Sequence, residues 1–377
     1  MKIKSKKVWM AGMFHPAIIE IENESIKRIG DYKEDADMDY GDLRIVPGFI
    51  DIHCHGAYGF DTNDANLEGL RNWTQRIVEE GVTSFLCTTI TQSYDVLSKA
   101  VQNVAEVCEK GYEGAEILGI HLEGPYLSKD YKGAQPEQFI KDADVEEFIQ
   151  LQKDAKGMIK YITIAPENNK DHELIRYCSG HGVTVSLGHS GASISEAQMA
   201  CANGAKCMTH VYNGMSGFHH RNNGLVTAAL RMRDVYGEII CDMKHSTPEA
   251  VNIFFHAKGE HRAIMVTDAL NCKGCEPGSV FYFGGNEICV QEDGSARLND
   301  GTLAGSTLKM NEGLRNLVEV AMVPFESALN SCTSNPAELL GIADRKGYIR
   351  AGNDADIVIL NDDYSIKDVY CKGKRSQ

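Results

Sequence analysis

Between residues 45 and 270 the chain repeats one hydrophobic pattern: a short β-branched, apolar run, a polar residue at its end, then a stretch with helical character. The runs are RIVPGFIDIH, VTSFLCTT, EILGIHLEG, KYITIAPE, VTVSLGHS, KCMTHVYN, EIICDMKH and RAIMVTDA. Each lies about 20 to 40 residues from the next, the room that a βα unit needs. Eight such units predict an α/β fold, a (β/α)8 TIM-like barrel, over residues 47–345. Helical connections read between the runs: EGLRNWTQRIVEEG closes on Gly81, DVLSKAVQNVAEVCEKG on Gly111, and SISEAQMACANG on Gly204. Each glycine suits the position just past a helix, where positive φ costs glycine little. The remaining segments, 1–46 and 346–377, read as short strands and turns, and are expected to pack together as a small β-sandwich domain built from both chain ends.

Composition narrows the function. The 377 residues are 43% hydrophobic and carry a formal charge of −15, which argues against nucleic acid or an anionic membrane as partner, since both select basic surfaces. A phosphate-bearing substrate would need a local cationic site. The basic start MKIKSKK is followed by no apolar stretch of signal-peptide length, and no 18 apolar residues run together, so a soluble, cytoplasmic protein is expected. Twelve cysteines form no disulfide-like framework, and the lone Cys272-x-x-Cys275 lacks the second pair that a zinc site would need.

In a (β/α)8 barrel the chemistry sits at the C-terminal ends of the strands. There the sequence places metal-ligand types almost exclusively. The first run ends Asp51-Ile52-His53-Cys54-His55, and a period of two puts Asp51, His53 and His55 on one face, where two imidazoles can share an ion. The third ends His121-Leu122-Glu123-Gly124-Pro125, with Glu123 at the mouth and His121 a layer deeper, where a hydrogen-bonded core histidine is the competing reading. The fifth ends in His189, the sixth in His210 and the eighth in Asp268. Singly, each is a polar residue at a strand end; jointly they predict a metal centre. Such a centre activates water against a carbonyl, with Asp268 placed to take the water proton and return it to a leaving amine. Many metal-dependent barrels of this kind take a carboxylated lysine from the fourth strand; the fourth run here ends Ile164-Ala165-Pro166-Glu167 with no lysine, and by that likeness Glu123 is expected to bridge in its place.

With these residues in view, the chain resembles the amidohydrolase superfamily and, within it, the N-acetylglucosamine-6-phosphate deacetylase family. The likeness is carried by PGFIDIHCHGAYGFDT, GIHLEGPYLSKDYKGAQ, SLGHS, THVYNGMSGFHHRNNG, VTDA, GTLAGS, NEGLRNLVE and NPAELLGI. It implies hydrolysis of the acetamide of N-acetyl-D-glucosamine 6-phosphate to acetate and D-glucosamine 6-phosphate. It assigns the main divalent metal to Glu123, His189 and His210, and the acid/base role to Asp268. Substrate contacts are implied for Asn213, Gly214, Arg221 and His245, with lesser ones near Ala134, Gln135, Leu303, Ala304 and Gly305.

Some members of the family replace the two strand-1 histidines and carry one metal, while those with the His-x-His of His53 and His55 can hold two. One or two divalent ions per subunit are therefore expected, with a binuclear site bridged by Glu123 favoured; Zn2+ or Fe2+ leads, with Mn2+ and Co2+ also compatible. The resemblance further implies a homodimer. Gln135 falls where some members carry histidine, which opens the sugar selectivity. Arg221 supplies the missing phosphate cation, although without the family match it reads as an exposed loop arginine, and a solvated loop is the default for His219 and His220. The competing functions are deacetylation of N-acetylgalactosamine 6-phosphate or another N-acyl compound and, from a different class, a non-catalytic amidohydrolase-like scaffold protein, which would typically have lost ligands that are all present here.

Overall fold

The computed structural model describes residues 1–376. Its centre is a sheet of eight strands in sequence order, every neighbouring pair parallel. They are β1 (Phe49–Cys54), β2 (Val82–Thr89), β3 (Glu116–Glu123), β4 (Ile159–Ile164), β5 (Thr184–Leu187), β6 (Ala205–Met208), β7 (Tyr236–Ile240) and β8 (Ala263–Val266). The sheet curls shut just beyond β8, where the Asp268 N–H donates to the His53 carbonyl at 2.8 Å and Ala269 bridges to Cys54. Asp51 locks the seam, accepting from Thr267 Oγ1 at 2.5 Å. Each of the eight runs supplies one strand of this TIM-like barrel. Strands covered on both faces are buried along their whole length, as β2 is at every residue, its Thr and Ser side chains included.

The first run divides. Arg44–Pro47 belongs to a second sheet and Phe49–Cys54 to the barrel, with Gly48 between them. A Cβ on Gly48 would lie 2.1 Å from Thr83 Oγ1, so only glycine lets the chain pass that close to β2. The glycines past the helices take positive φ, 82° at Gly81, 84° at Gly111 and 119° at Gly204. The helix before Gly81 is α-helical over Leu67–Arg76 and tightens to 3-10 over Ile77–Glu80.

The chain ends share one hydrogen-bonded sheet. Strands Lys2–Met10, Met13–Glu22 and Ser25–Asp31 are joined through Arg44–Pro47 to Ile357–Leu360 and Ile366–Cys371. Its own apolar core includes Ile3, Ile19, Ile45, Ile357 and Tyr370. At the start of β3, Glu116 meets Arg345 at 2.9 Å and the buried Lys346 at 2.8 Å, tying barrel to end sheet. Burial opposes the Glu116 charge, but these cations hold its carboxyl down to about 2.

One feature was not legible in the sequence pattern. After β8 the chain adds a three-stranded sheet, Val280–Phe283, Asn286–Val290 and Ala296–Leu298, that packs on the barrel mouth. The segment leading to it is anchored by Lys273, fully buried and 2.9 Å from the fully buried Glu80. Glu80 also accepts from Tyr58 Oη at 2.7 Å and the Met310 N–H at 3.2 Å. Removing one partner leaves an uncompensated charge in the interior, so Lys273→Met should cost about 3–5 kcal/mol. Urea unfolding checks this, with the double variant Lys273→Met/Glu80→Gln recovering part of the loss; a single variant within about 1 kcal/mol of wild type would contradict the anchoring role.

Candidate metal centre

The donor residues arrive at the mouth by a repeated backbone device. His189, His210 and Asp268 each stand two residues beyond a strand and each adopts left-handed φ, 46°, 27° and 48°. For non-glycine residues this costs about 1–3 kcal/mol apiece, and it persists only where surroundings over-determine it. Here they do. The His189 carbonyl accepts from Ser128, the His210 N–H donates to Glu238, and Asp268 is pinned through its N–H to His53 and its carbonyl to Ser306.

The side chains converge on Glu123. His189 Nε2 and His210 Nε2 both lie 3.2 Å from Glu123 Oε1, His53 Nε2 lies 3.4 Å from the same oxygen, and His55 Nε2 lies 3.2 Å from Oε2. Asp268 Oδ1 closes the group at 3.2 Å from His55 Nε2 and 3.5 Å from His53 Nε2. Two triads can each enclose an ion, His53–His55–Glu123 and Glu123–His189–His210, with Glu123 common to both.

The donor chemistry fits divalent cations. His189 Nδ1 lies 2.9 Å from the Tyr131 carbonyl, which only accepts, so the proton is on Nδ1 and the Nε2 lone pair faces inward. His53 Nδ1 faces Glu238 Oε2 at 2.9 Å, which turns Nε2 toward Glu123 and Asp268, where it becomes a lone-pair donor once an ion displaces its proton. The Nε2 atoms of His189 and His210 are 3.1 Å apart. Lone pairs and carboxylates so concentrated are repulsive unless a proton or a cation lies between them. Burial opposes charge on both strand-1 imidazoles, but Asp268 and Glu123 outweigh it, raising His55 to about 9 and His53 well above its usual value. Burial likewise opposes the Glu123 carboxylate, yet the surrounding imidazoles hold it well below the usual range.

Two residues absent from the sequence reading hold this set. Glu238 sits fully buried on β7, where it orients His53 and accepts from Tyr161 Oη at 2.5 Å. A lone acid inside the apolar run EII was the available signal. Tyr161 gave none, since an aromatic in a strand reads as core. His121 is the core histidine of the competing reading: its Nε2 pairs with Thr163 Oγ1 at 2.8 Å, and burial, then the charge on His53, pushes it far toward the neutral form. Cys272 is buried with its thiol pushed up to about 12 by desolvation, Cys275 is part-exposed, and both are free.

Above the centre opens a cavity of about 230 Å3. It is lined by His55, Glu123, His189, His210 and Asp268 and by seven of the nine expected substrate contacts: Ala134, Gln135, Asn213, Gly214, His245, Leu303 and Gly305. Gly214 must be small, since a Cβ there would lie 2.9 Å from His189 Nδ1. Gln135 also serves the centre, donating to Glu123 Oε2 at 2.7 Å while its own Oε1 accepts from the Thr91 N–H. His245 bonds Asp242 at 2.7 Å; burial opposes its charge, but Asp242 raises it overall. Two residues stand apart. Ala304 is fully buried in the apolar cluster beneath the three-stranded sheet, and Arg221 is exposed in the loop after β6, beside His219.

Comparison with known proteins agrees with this architecture. The model of the Amidohydrolase family matches residues 44–375. The chain belongs to the amidohydrolase family. Among curated relatives of this amidohydrolase, the N-acetylglucosamine-6-phosphate deacetylase of Bacillus subtilis (strain 168) is 44% identical over 335 residues, covering 88% of this chain and 84% of the relative. The N-acetylgalactosamine-6-phosphate deacetylase of Escherichia coli O157:H7 is 32% identical over 330 residues, covering 88% and 87%. A solved structure of a mutant N-acetyl-D-glucosamine-6-phosphate deacetylase from Mycobacterium smegmatis, in complex with N-acetyl-D-glucosamine-6-phosphate, superposes with a TM-score of 0.94 at 28% identity, covering 100% of this chain and 99% of that one. The family is metal-dependent, in keeping with the two triads.

Because His53 and His55 are raised, metal-free protein carries protons that an ion must displace. Metal uptake at pH 7 to 8 should therefore release protons, and apparent affinity should climb with pH through the His55 value of about 9. Calorimetric titration with Zn2+ in buffers of different ionisation enthalpy measures this; a buffer-independent heat would contradict it.

Proposed function

We propose that this amidohydrolase cleaves the acetamide of N-acetyl-D-glucosamine 6-phosphate, giving acetate and D-glucosamine 6-phosphate. The observation that carries the reading is Asp268: its carboxylate faces both strand-1 imidazoles at the shared Glu123 and opens into the cavity that Asn213, Gly214 and His245 line. Glu123, His189 and His210 would hold one divalent ion, and His53, His55 and Glu123 a second; bound there, such ions would supply Lewis acidity toward the amide carbonyl and lower the pKa of water. Zn2+ or Fe2+ suits these donors first, Mn2+ and Co2+ after them.

The chain's own residues do the rest. Asp268 takes the proton from the attacking water as its oxygen bonds to the acyl carbon. It then delivers that proton to the amide nitrogen as the C–N bond breaks, so that acetate and the amine leave. In the metal-free protein burial raises the Asp268 carboxyl, but the charge of His53 and the hydrogen bond and charge of His55 outweigh it and hold it below its usual value; cations at those same imidazoles would favour the ionised form, which a base requires. Asn213 and the Gly214 backbone bind the sugar phosphate, with His245 presenting its raised imidazole.

The reading includes a homodimer in which the loop carrying Arg221 meets a neighbouring copy. Its exposure, and that of Phe218 in the same loop, support this. It also includes a cytoplasmic location: no helix among the described residues is long and apolar enough to cross a membrane, and all twelve cysteines are free thiols, as a reducing compartment maintains.

Acetate release from N-acetylglucosamine 6-phosphate by metal-replete protein tests the function, with the galactosamine epimer, the unphosphorylated sugar and a chelated control alongside. Chelator-sensitive release, fastest from the first, is expected; faster release from the epimer would transfer the assignment to the galacto substrate. Asp268→Asn should keep its metal and lose about two to four orders of magnitude in kcat. Near-normal turnover in that variant would remove the proton-transfer role. In light scattering the protein should run as a dimer, and Arg221→Ala should raise KM with kcat little changed; a fully active monomer would remove the neighbour's part.

A further inference from the structure

The three-stranded sheet after β8 has no role in the chemistry above, yet it is fastened across the mouth. Gln92 Nε2 donates to the Gly284 carbonyl at 3.3 Å, Asn286 Nδ2 to the Ala134 carbonyl at 3.1 Å, and Asn271 Nδ2 to the Tyr282 carbonyl at 3.1 Å. The hairpin tip is seated without slack, since a Cβ on Gly284 would come within 2.9 Å of Ile90 and 3.2 Å of Pro136. These contacts present one large side chain to the cavity. Phe283 is buried in a cluster with Ile90, Leu270 and Ala304, against which Ala134 packs. Its ring stands edge-on to His55, centroids 5.0 Å apart and planes at 76°.

The position defines what the ring would meet. The scissile carbonyl carbon has to sit at Asp268 and the paired triads. The polar end of the cavity, at Asn213, Gly214 and His245, takes the sugar phosphate. The acyl substituent, on the other side of that carbon, is then directed to the apolar surface beside His55, which is Phe283 with Ala134. A wall held by three hydrogen bonds from side-chain amides and by an apolar cluster cannot withdraw cheaply, because packed interiors yield little to added methylenes.

We propose that Phe283, held by the fastened hairpin, is the wall that sets the size of the acyl group this amidohydrolase accepts, admitting N-acetyl and excluding longer chains. The inference rests on the amide-hydrolysis reading of the same site. Phe283 is a specificity residue here and moves no proton.

The test is kcat/KM for the N-formyl, N-acetyl, N-propionyl and N-butyryl glucosamine 6-phosphates with wild type, Phe283→Leu, Phe283→Ala and the unfastened double variant Gln92→Ala/Asn286→Ala. One methylene in an apolar pocket is worth about 10- to 200-fold in discrimination, so both Phe283 variants should raise the propionyl-to-acetyl ratio by about tenfold or more. The unfastened variant should raise it in the same direction with the ring intact. Should the alanine variant fail to fold, the leucine variant, which keeps the cluster apolar, decides. A ratio within about twofold of wild type in the folded Phe283 variants overturns the wall while leaving an active deacetylase. A wild type that releases no acyl group from any of the four overturns the hydrolase reading and the wall with it.

Discussion

A single carboxylate, buried and ringed by imidazoles, organises this molecule. Glu123 lies within 3.4 Å of the Nε2 atoms of His53, His55, His189 and His210, which reach it from three different strand ends. Such an arrangement in a low-dielectric interior has to be neutralised, by protons in the metal-free protein or by divalent ions in the loaded one. The fold is built to tolerate it. Left-handed backbone at His189, His210 and Asp268 turns those side chains inward, and hydrogen bonds from neighbouring segments maintain the conformation.

The layer beneath shows how orientation is enforced. Glu238 and the Tyr131 carbonyl fix the proton on the outer nitrogens of His53 and His189, so their inner nitrogens are the ones that offer a lone pair to an ion. Asp51, bonded to Thr267, closes β1 against the segment that carries Asp268. A deeper set of hydroxyls, Thr163, Thr209 and Ser186, with His121 among them, satisfies its own hydrogen bonds and forms a neutral polar floor. The centre is thus held by partners that touch no substrate, which is where loss of metal affinity without loss of fold would originate.

Much of this was legible in the chain because the same physics writes both the pattern and the structure. Parallel strands buried on two faces must be apolar runs, and eight of them at βα spacing leave few architectures. Ligands must stand where those runs end, so His189, His210 and Asp268 declare themselves by position. Glu238 and Tyr161 were hidden because they lie within the runs, where residue type signals burial and says nothing of direction. The sheet from Val280 to Leu298 was hidden for another reason: its strands are short and half-exposed, with no period that stands out from a loop. Ala304 and Arg221 were named through resemblance, and the single chain places neither at the cavity.

The claim beneath all of this is that Glu123 is shared between two cation sites. Anomalous diffraction from crystals of the protein grown with Zn2+ tests it most directly. The account predicts two peaks flanking the Glu123 carboxylate, one coordinated by His189 and His210 and the other by His53 and His55. A single zinc peak, or a peak at which Glu123 is not a ligand, would contradict it.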